Sequence, residues 1–425
     1  MALPTEILTK ILRLATVGAQ ANDDSALSSV LPSCLIPGNF PEESLRTKHA
    51  LALVSRQWNS VATIILYEQI TLPIAGIEKL LHTLTTPVSG GGPSDLARLV
   101  KRVDIPAVIR GERIHLVAQL CKKTTNLIAF FALLENGVDP RLLLNVLPGN
   151  LVHLHIQGQG GMRASDPSVP LGDLNDFLVG HPDLATLSIP SELTGGHTGL
   201  QAGISWPSVR KLTLQSSDQT SALARYVPTG ALPNLEVVAF QGGETLESDC
   251  TIDSFLLAHG GSLVSVGLTQ DDLTKASPPM RASLQQVDQR CPRVKEITVA
   301  FRACPFSSVS DLSAGLGLTW VGNVEVVRRM PRIVSLGIQL PFPRYSPDRM
   351  DYLQSTVAMP WTKMYPELQR ITVMEEVDVE EYRAHDKVTH RNLRMAGRFA
   401  KHPIRVEDIT GNSLGDFSKG MCVWV

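Results

Sequence analysis

The chain has 425 residues, with 39 Lys plus Arg against 41 Asp plus Glu, a formal net charge of −2, and 5% aromatic residues. That balance excludes a global electrostatic pull toward nucleic acid or an anionic membrane, and the scarcity of aromatics argues against a stacking platform for single strands. The length allows a large core and, by itself, about two or three domains.

The first stretch, 3–15, places Leu3, Ile7, Leu8, Ile11, Leu12 and Ala15 on one helical stripe, with Glu6, Lys10 and Arg13 on the other face. Pro4 suits the start of such a helix, where an N–H would have no intrahelical partner. Residues 16–46 are rich in Ser, Pro, Asn and Asp and read as an inserted loop. A second periodic stretch follows Ser55, a natural N-cap, with Trp58, Val61, Ala62, Ile65 and Leu66 at helical spacing. Short helices this apolar cannot bury all their faces among themselves, so part of their surface is expected to await a partner. Residues 73–95, with Gly90, Gly91, Gly92 and Pro93, read as a connecting segment.

From residue 96 one pattern recurs: apolar, two variable, apolar, variable, apolar. It begins at Val100, Leu127, Leu151, Leu184, Val209, Leu235, Leu263, Val294, Ile333 and Leu368, with steps of 24 to 39 residues. Most units are introduced by a turn residue and proline, as at Pro182, Pro207, Pro233, Pro292, Pro331 and Pro366. The second half of each six-residue piece alternates as a strand does, sending the fourth and sixth positions inward with the first. Helical stretches lie between, over 174–178, 221–227, 252–259 and 280–290. The expected fold class is α/β: a short helical module over 1–72, then an irregular solenoid over 96–400 with a curved parallel sheet and outer helices, then a cap or tail over 401–425. An ordinary α/β domain with several parallel strands is the alternative.

Two resemblances sit on these residues. The phrase from Leu3 through Pro4 and Glu6 to Leu8, with Val54, Ser55 and Trp58 and then Ala62, Leu66 and Tyr67, resembles an F-box, as in the fungal F-box-like family. The ten six-residue units are similar to the leucine-rich repeat. They depart from it where Asn or Cys normally follows the strand, since Gln159, Glu192, Ser217, Gly243 and Asp271 stand there. The F-box resemblance implies docking on a Skp-type adaptor, and through it on a cullin scaffold. The chain would then be the substrate-recognition subunit of an SCF-type ubiquitin ligase, recruiting a protein substrate for ubiquitin-dependent degradation. By position in the motif, Leu3, Pro4, Ile7, Leu8, Ile11, Val54, Trp58, Leu66 and Tyr67 would form the module or face the adaptor. A non-catalytic interaction scaffold, with the helices serving only as an N-terminal cap, stays open beside it.

In the repeat the third and fifth strand positions are expected on the concave sheet face, where small uncharged residues would leave a shallow groove for a peptide. The residues assigned there as substrate-binding are His153, His155, Thr186, Ser188, Lys211, Thr213, Glu296, Thr298, Arg370 and Thr372. Small residues that merely relieve crowding on a curved sheet are the competing reading.

No other constellation carries chemistry. His153 and His155 alternate on one strand without Cys, Asp or Glu at ligand spacing, so no metal is expected. Gly158, Gly160 and Gly161 lack the third glycine of a dinucleotide loop. No nucleophile elbow, H-E-x-x-H or P-loop occurs, so neither catalysis nor a cofactor is expected. The six cysteines, Cys34, Cys121, Cys250, Cys291, Cys304 and Cys422, form no C-x-x-C pair and suit a reducing compartment. Charges at Glu6, Lys10 and Arg13 interrupt any secretory signal, and no apolar run is long enough for a membrane span. The expectation is a cytoplasmic or nuclear chain, monomeric outside its complex, with no nucleic-acid or membrane partner. An acidic run from Glu375 to Glu381 followed by a basic one from Arg383 to Lys401 reads as a solvated helix, and Ile404 to Val406 as a closing strand.

Overall fold

The computed structural model describes residues 4–16, 47, 49–86, 96–158, 168–190, 193–194, 204–215, 217–240, 249–270, 278–301, 330, 332–339, 365–374, 377, 403–408, 411–418 and 421–423. The inserted loop beyond Thr16, the Gly90–Pro93 linker, the glycines after Gly158 and the charge runs on either side of residue 381 lie outside them. The chain divides into two compact units, Met1–Asp24 with Asn39–Gln215, and Ser25–Gly38 with Ser216–Val425. Each is mixed α/β with mostly parallel strands.

The first unit opens with α1 (Thr5–Thr16) and α2 (Arg56–Glu68), preceded by a helical turn over 49–52. Ser55 caps α2 as its hydroxyl accepts from the Trp58 N–H at 3.2 Å. Leu8, Leu12, Val61, Ala62 and Ile65 form a small core between the helices, with Leu51, Ala52 and Trp58 packed against it. Glu68 ends α2 and its neighbour is already extended, so the helix passes without a linker into β1 (Gln69–Thr71). The 1–72 boundary therefore needs correction. The first strand unit starts at Tyr67, with Ile70 and Leu72 at the fourth and sixth positions, and β1 pairs in parallel with β2 (Arg102–Ile109). Nor is 73–95 only a connection, because it contains α3 (Ile77–Thr85), with Ile77 and Leu84 buried. A short helix, α4 (Leu96–Leu99), leads into β2.

The elements then alternate as α5 (Ile114–Lys123), β3 (Ala129–Leu134), α6 (Arg141–Leu144), β4 (His153–Gly158), β5 (Val169–Pro170), α7 (Leu171–Gly180), β6 (Thr186–Ser188), β7 (Leu193–Thr194) and β8 (Lys211–Leu214). Strands β1, β2, β3, β4, β6 and β8 follow one another in chain order, all parallel. Pro106 lies within β2, and the register with β3 shifts between Ile105 and Val108.

The second unit contains α8 (Ser217–Tyr226), β9 (Val237–Phe240), α9 (Asp249–His259), β10 (Ser265–Gln270), α10 (Pro278–Arg290), β11 (Glu296–Phe301), β12 (Ser335–Gln339), β13 (Arg370–Val373) and β14 (Ile404–Asp408). Strands β9 to β14 are parallel, and β15 (Ser413–Ser418) and β16 (Met421–Val423) turn back antiparallel. Asp408 takes the sixth, normally apolar position. Buried, it accepts from the Asn412 N–H at 2.8 Å and closes the turn into β15.

One hydrogen-bond pattern recurs in both units. The N–H of the first-position residue reaches the carbonyl three residues earlier, as in Leu184 to His181, Val209 to Trp206, Val294 to Cys291, Ile333 to Met330 and Leu368 to Tyr365. Proline at the second position of this turn supplies the required φ. The turn's first residue is buried at Thr124, His181, Trp206, Cys291, Met330 and Tyr365, which adds a core column to the first, fourth and sixth strand positions.

Candidate docking and recognition surfaces

The amphipathic helices α1 and α2 bury one stripe against each other and leave a second apolar set in solvent. Ile7 and Ile11, one turn apart on α1, are 48% and 42% exposed, and Val54, in the turn before α2, is 59% exposed. Leu53 beside it is 75% exposed and Ile64 on α2 is also exposed; neither was among the residues assigned from sequence. Leu53 was legible, since it adjoins Val54 where Ser55 stops the preceding turn from continuing into α2. The other assigned residues are distributed differently. Pro4 is exposed and its carbonyl accepts from the Leu8 N–H, Leu8 is fully buried, and Trp58, Leu66 and Tyr67 are half-buried. Leu3 lies outside the described residues. Tyr67, still within α2, holds the first position of the first repeat's six-residue pattern.

On the sheet face, third positions are mixed: His153, Thr186, Lys211 and Glu296 are half-exposed and Arg370 is exposed, whereas Ala129, Val237, Ser265 and Ser335 are buried. His153 Nδ1 and Thr186 Oγ1 pair across neighbouring strands at 3.1 Å. The fifth row is sealed: Asp104, Phe131, His155, Ser188 and Thr213 are buried in the first unit, and Ala239 and Thr298 in the second. Thr372, near the end, is half-exposed. Of the residues assigned as substrate-binding, His155, Ser188, Thr213 and Thr298 are thus interior, which fits small residues relieving crowding and not an open groove along this row.

At two places a residue in the seventh position, just past the six-residue pattern, covers this row. Gln215 folds back over the preceding repeat, its Nε2 donating to Ser188 Oγ at 2.9 Å and to the Ile156 carbonyl at 2.7 Å, while its Oε1 accepts from the Gly158 N–H at 3.1 Å. In the ladder's own pattern the Ile156 carbonyl would receive the N–H of residue 190. Pro190 has none, and the Gln215 amide takes its place. In the second unit Met374, again seventh, lies over Gly337. A Cβ there would stand 3.1 Å from its sulfur and 2.6 Å from Thr298 Oγ1, so only glycine fits without displacement.

The sealed row includes a buried imidazole. His155 stacks on Phe131 with centroids 6.0 Å apart, neither ring nitrogen has a hydrogen-bond partner, and burial pushes its pKa down to about 3. Arg102 Nε bonds Asp104 at 3.0 Å and its guanidinium lies 4.5 Å from the Phe131 ring centre, so the adjacent charges are already paired. The Cys121 and Cys291 thiols are buried, and burial raises both to about 12, which removes them as nucleophiles at neutral pH. Among the described residues no group of His, Cys, Asp and Glu could hold a metal ion, and no helix is long and apolar enough to cross a membrane.

A comparison with protein-family models finds no match to any part of the chain, and no curated protein matches it significantly.

Proposed function

We propose that this chain is the substrate-recognition subunit of an SCF-type ubiquitin ligase. In this reading α1 and α2 are an F-box that docks on a Skp-type adaptor, and through it on a cullin. The repeats are an irregular leucine-rich-repeat-like solenoid that recruits a protein substrate through solvent-facing third-position residues, His153, Thr186 and Lys211 in the first unit or Glu296 and Arg370 in the second. The observation that carries the proposal is the exposure of Ile7, Ile11, Leu53 and Val54. A terminal cap needs a polar outer face, whereas these helices turn apolar side chains outward on both segments of the F-box-like phrase. Burying each such side chain against a partner is worth about 1.5–3 kcal/mol.

A second reading, an interaction scaffold whose helices only cap the first repeat, is favoured by the direct passage of α2 into β1 and by the bonds of Glu68 to both Arg13 and Lys101. Co-purification of the full chain with a purified Skp-type adaptor separates the two. A stable complex supports docking, and a folded chain with no affinity supports the cap.

A further inference from the structure

We infer that Glu68 is a positioning residue that fixes the direction in which α1 presents Ile7 and Ile11. Its purpose rests on the docking proposal, and its geometry does not.

Helix α1 packs on α2 through Leu8 and Leu12, which lie on one stripe. That contact, which also takes in Leu51 and Ala52 of the turn over 49–52, holds α1 through one stripe of its surface, and a roll about it would swing Ile7 and Ile11. Arg13 is one residue past Leu12 and therefore about 100° round the helix. Its Nη2 donates to both carboxylate oxygens of Glu68 at 3.2 Å, a second attachment well off the stripe. The same carboxylate accepts from Lys101 Nζ, and the Glu68 carbonyl accepts from the Lys101 N–H at 2.9 Å. One residue thus joins α1, the end of α2 and the start of the next repeat. The Glu68 side chain is only 21% exposed while Arg13 and Lys101 are half in water, so the acceptor is held and the two cations reach to it. Exposed ion pairs add little to stability. The effect expected here is on orientation, not on the unfolding midpoint.

The test is single-molecule energy transfer in the free full-length chain, with dyes on azide-bearing residues replacing the exposed Lys10 on α1 and Lys122 at the end of α5. The wild type should give one narrow transfer efficiency. Glu68→Gln and, separately, Arg13→Gln should broaden or shift it with the thermal midpoint unchanged, and the triple reversal Glu68→Lys, Arg13→Glu, Lys101→Glu should narrow it again. A Glu68→Gln distribution as narrow as wild type and unshifted overturns the inference, as does a triple reversal that fails to restore it. Lack of adaptor binding by the wild-type chain would sink the docking proposal alone, because the dyes report without any adaptor.

Discussion

His155 sits where a charge has no counter-ion, so its protonation must oppose folding. Its folded value of about 3 lies below the ordinary 6.5, so between these values the unfolded chain binds more protons than the native one. Stability is complete above about pH 6.5 and falls as the pH drops toward 3, with a slope approaching about 1.4 kcal/mol per pH unit from this group. His259, lowered by burial to about 4, adds in the same direction. Urea titrations of His155→Phe should show a shallower acid loss than wild type, and an identical pH slope would contradict the assignment. Gln215 offers a second residue-scale test. Replacement by Leu keeps bulk but strands the Ile156 carbonyl and the Gly158 N–H, and should cost about 1–3 kcal/mol by chemical denaturation. A loss within error of zero would mean that water or another group replaces the amide.

At the scale of elements, α1 places two kinds of apolar residue a single position apart. Leu8→Ala removes a fully buried side chain and should cost about 2–5 kcal/mol in the stability of the helical pair, whereas Ile7→Ala should stay within about 0.5 kcal/mol. Hydrogen exchange across α1 reads both, and equal effects would contradict the separation into a packed and an exposed face. Helical periodicity makes the apolar stripe legible, but it puts Ile7, Leu8, Ile11 and Leu12 on that stripe together, and only packing against α2 divides them. The repeat was legible for the same reason: the first, fourth and sixth strand positions are apolar because they are buried. Two features escaped. The unit beginning at Tyr67 was masked because its first position lies inside α2, where helical periodicity dominates the pattern. The covers over Ser188 and Gly337 come from Gln215 and Met374, which stand past the end of the strand and differ in chemistry. A period-two reading of six residues has no means of assigning them to a neighbouring repeat.

For the molecule as a whole, strands follow chain order within each unit, and the docking proposal rests on what the surface exposes. Of the surfaces that proposal invokes, exposed third-position residues in either unit and the apolar set on the N-terminal helices, the second is the more demanding to leave in water. Calorimetric titration of a purified Skp-type adaptor into the full-length chain tests this most directly. The account predicts saturable binding with a negative heat-capacity change from apolar burial, lost in Ile7→Asp/Ile11→Asp while the thermal midpoint stays near wild type. No heat of binding from the folded wild-type chain, or undiminished binding by the double variant, would contradict it.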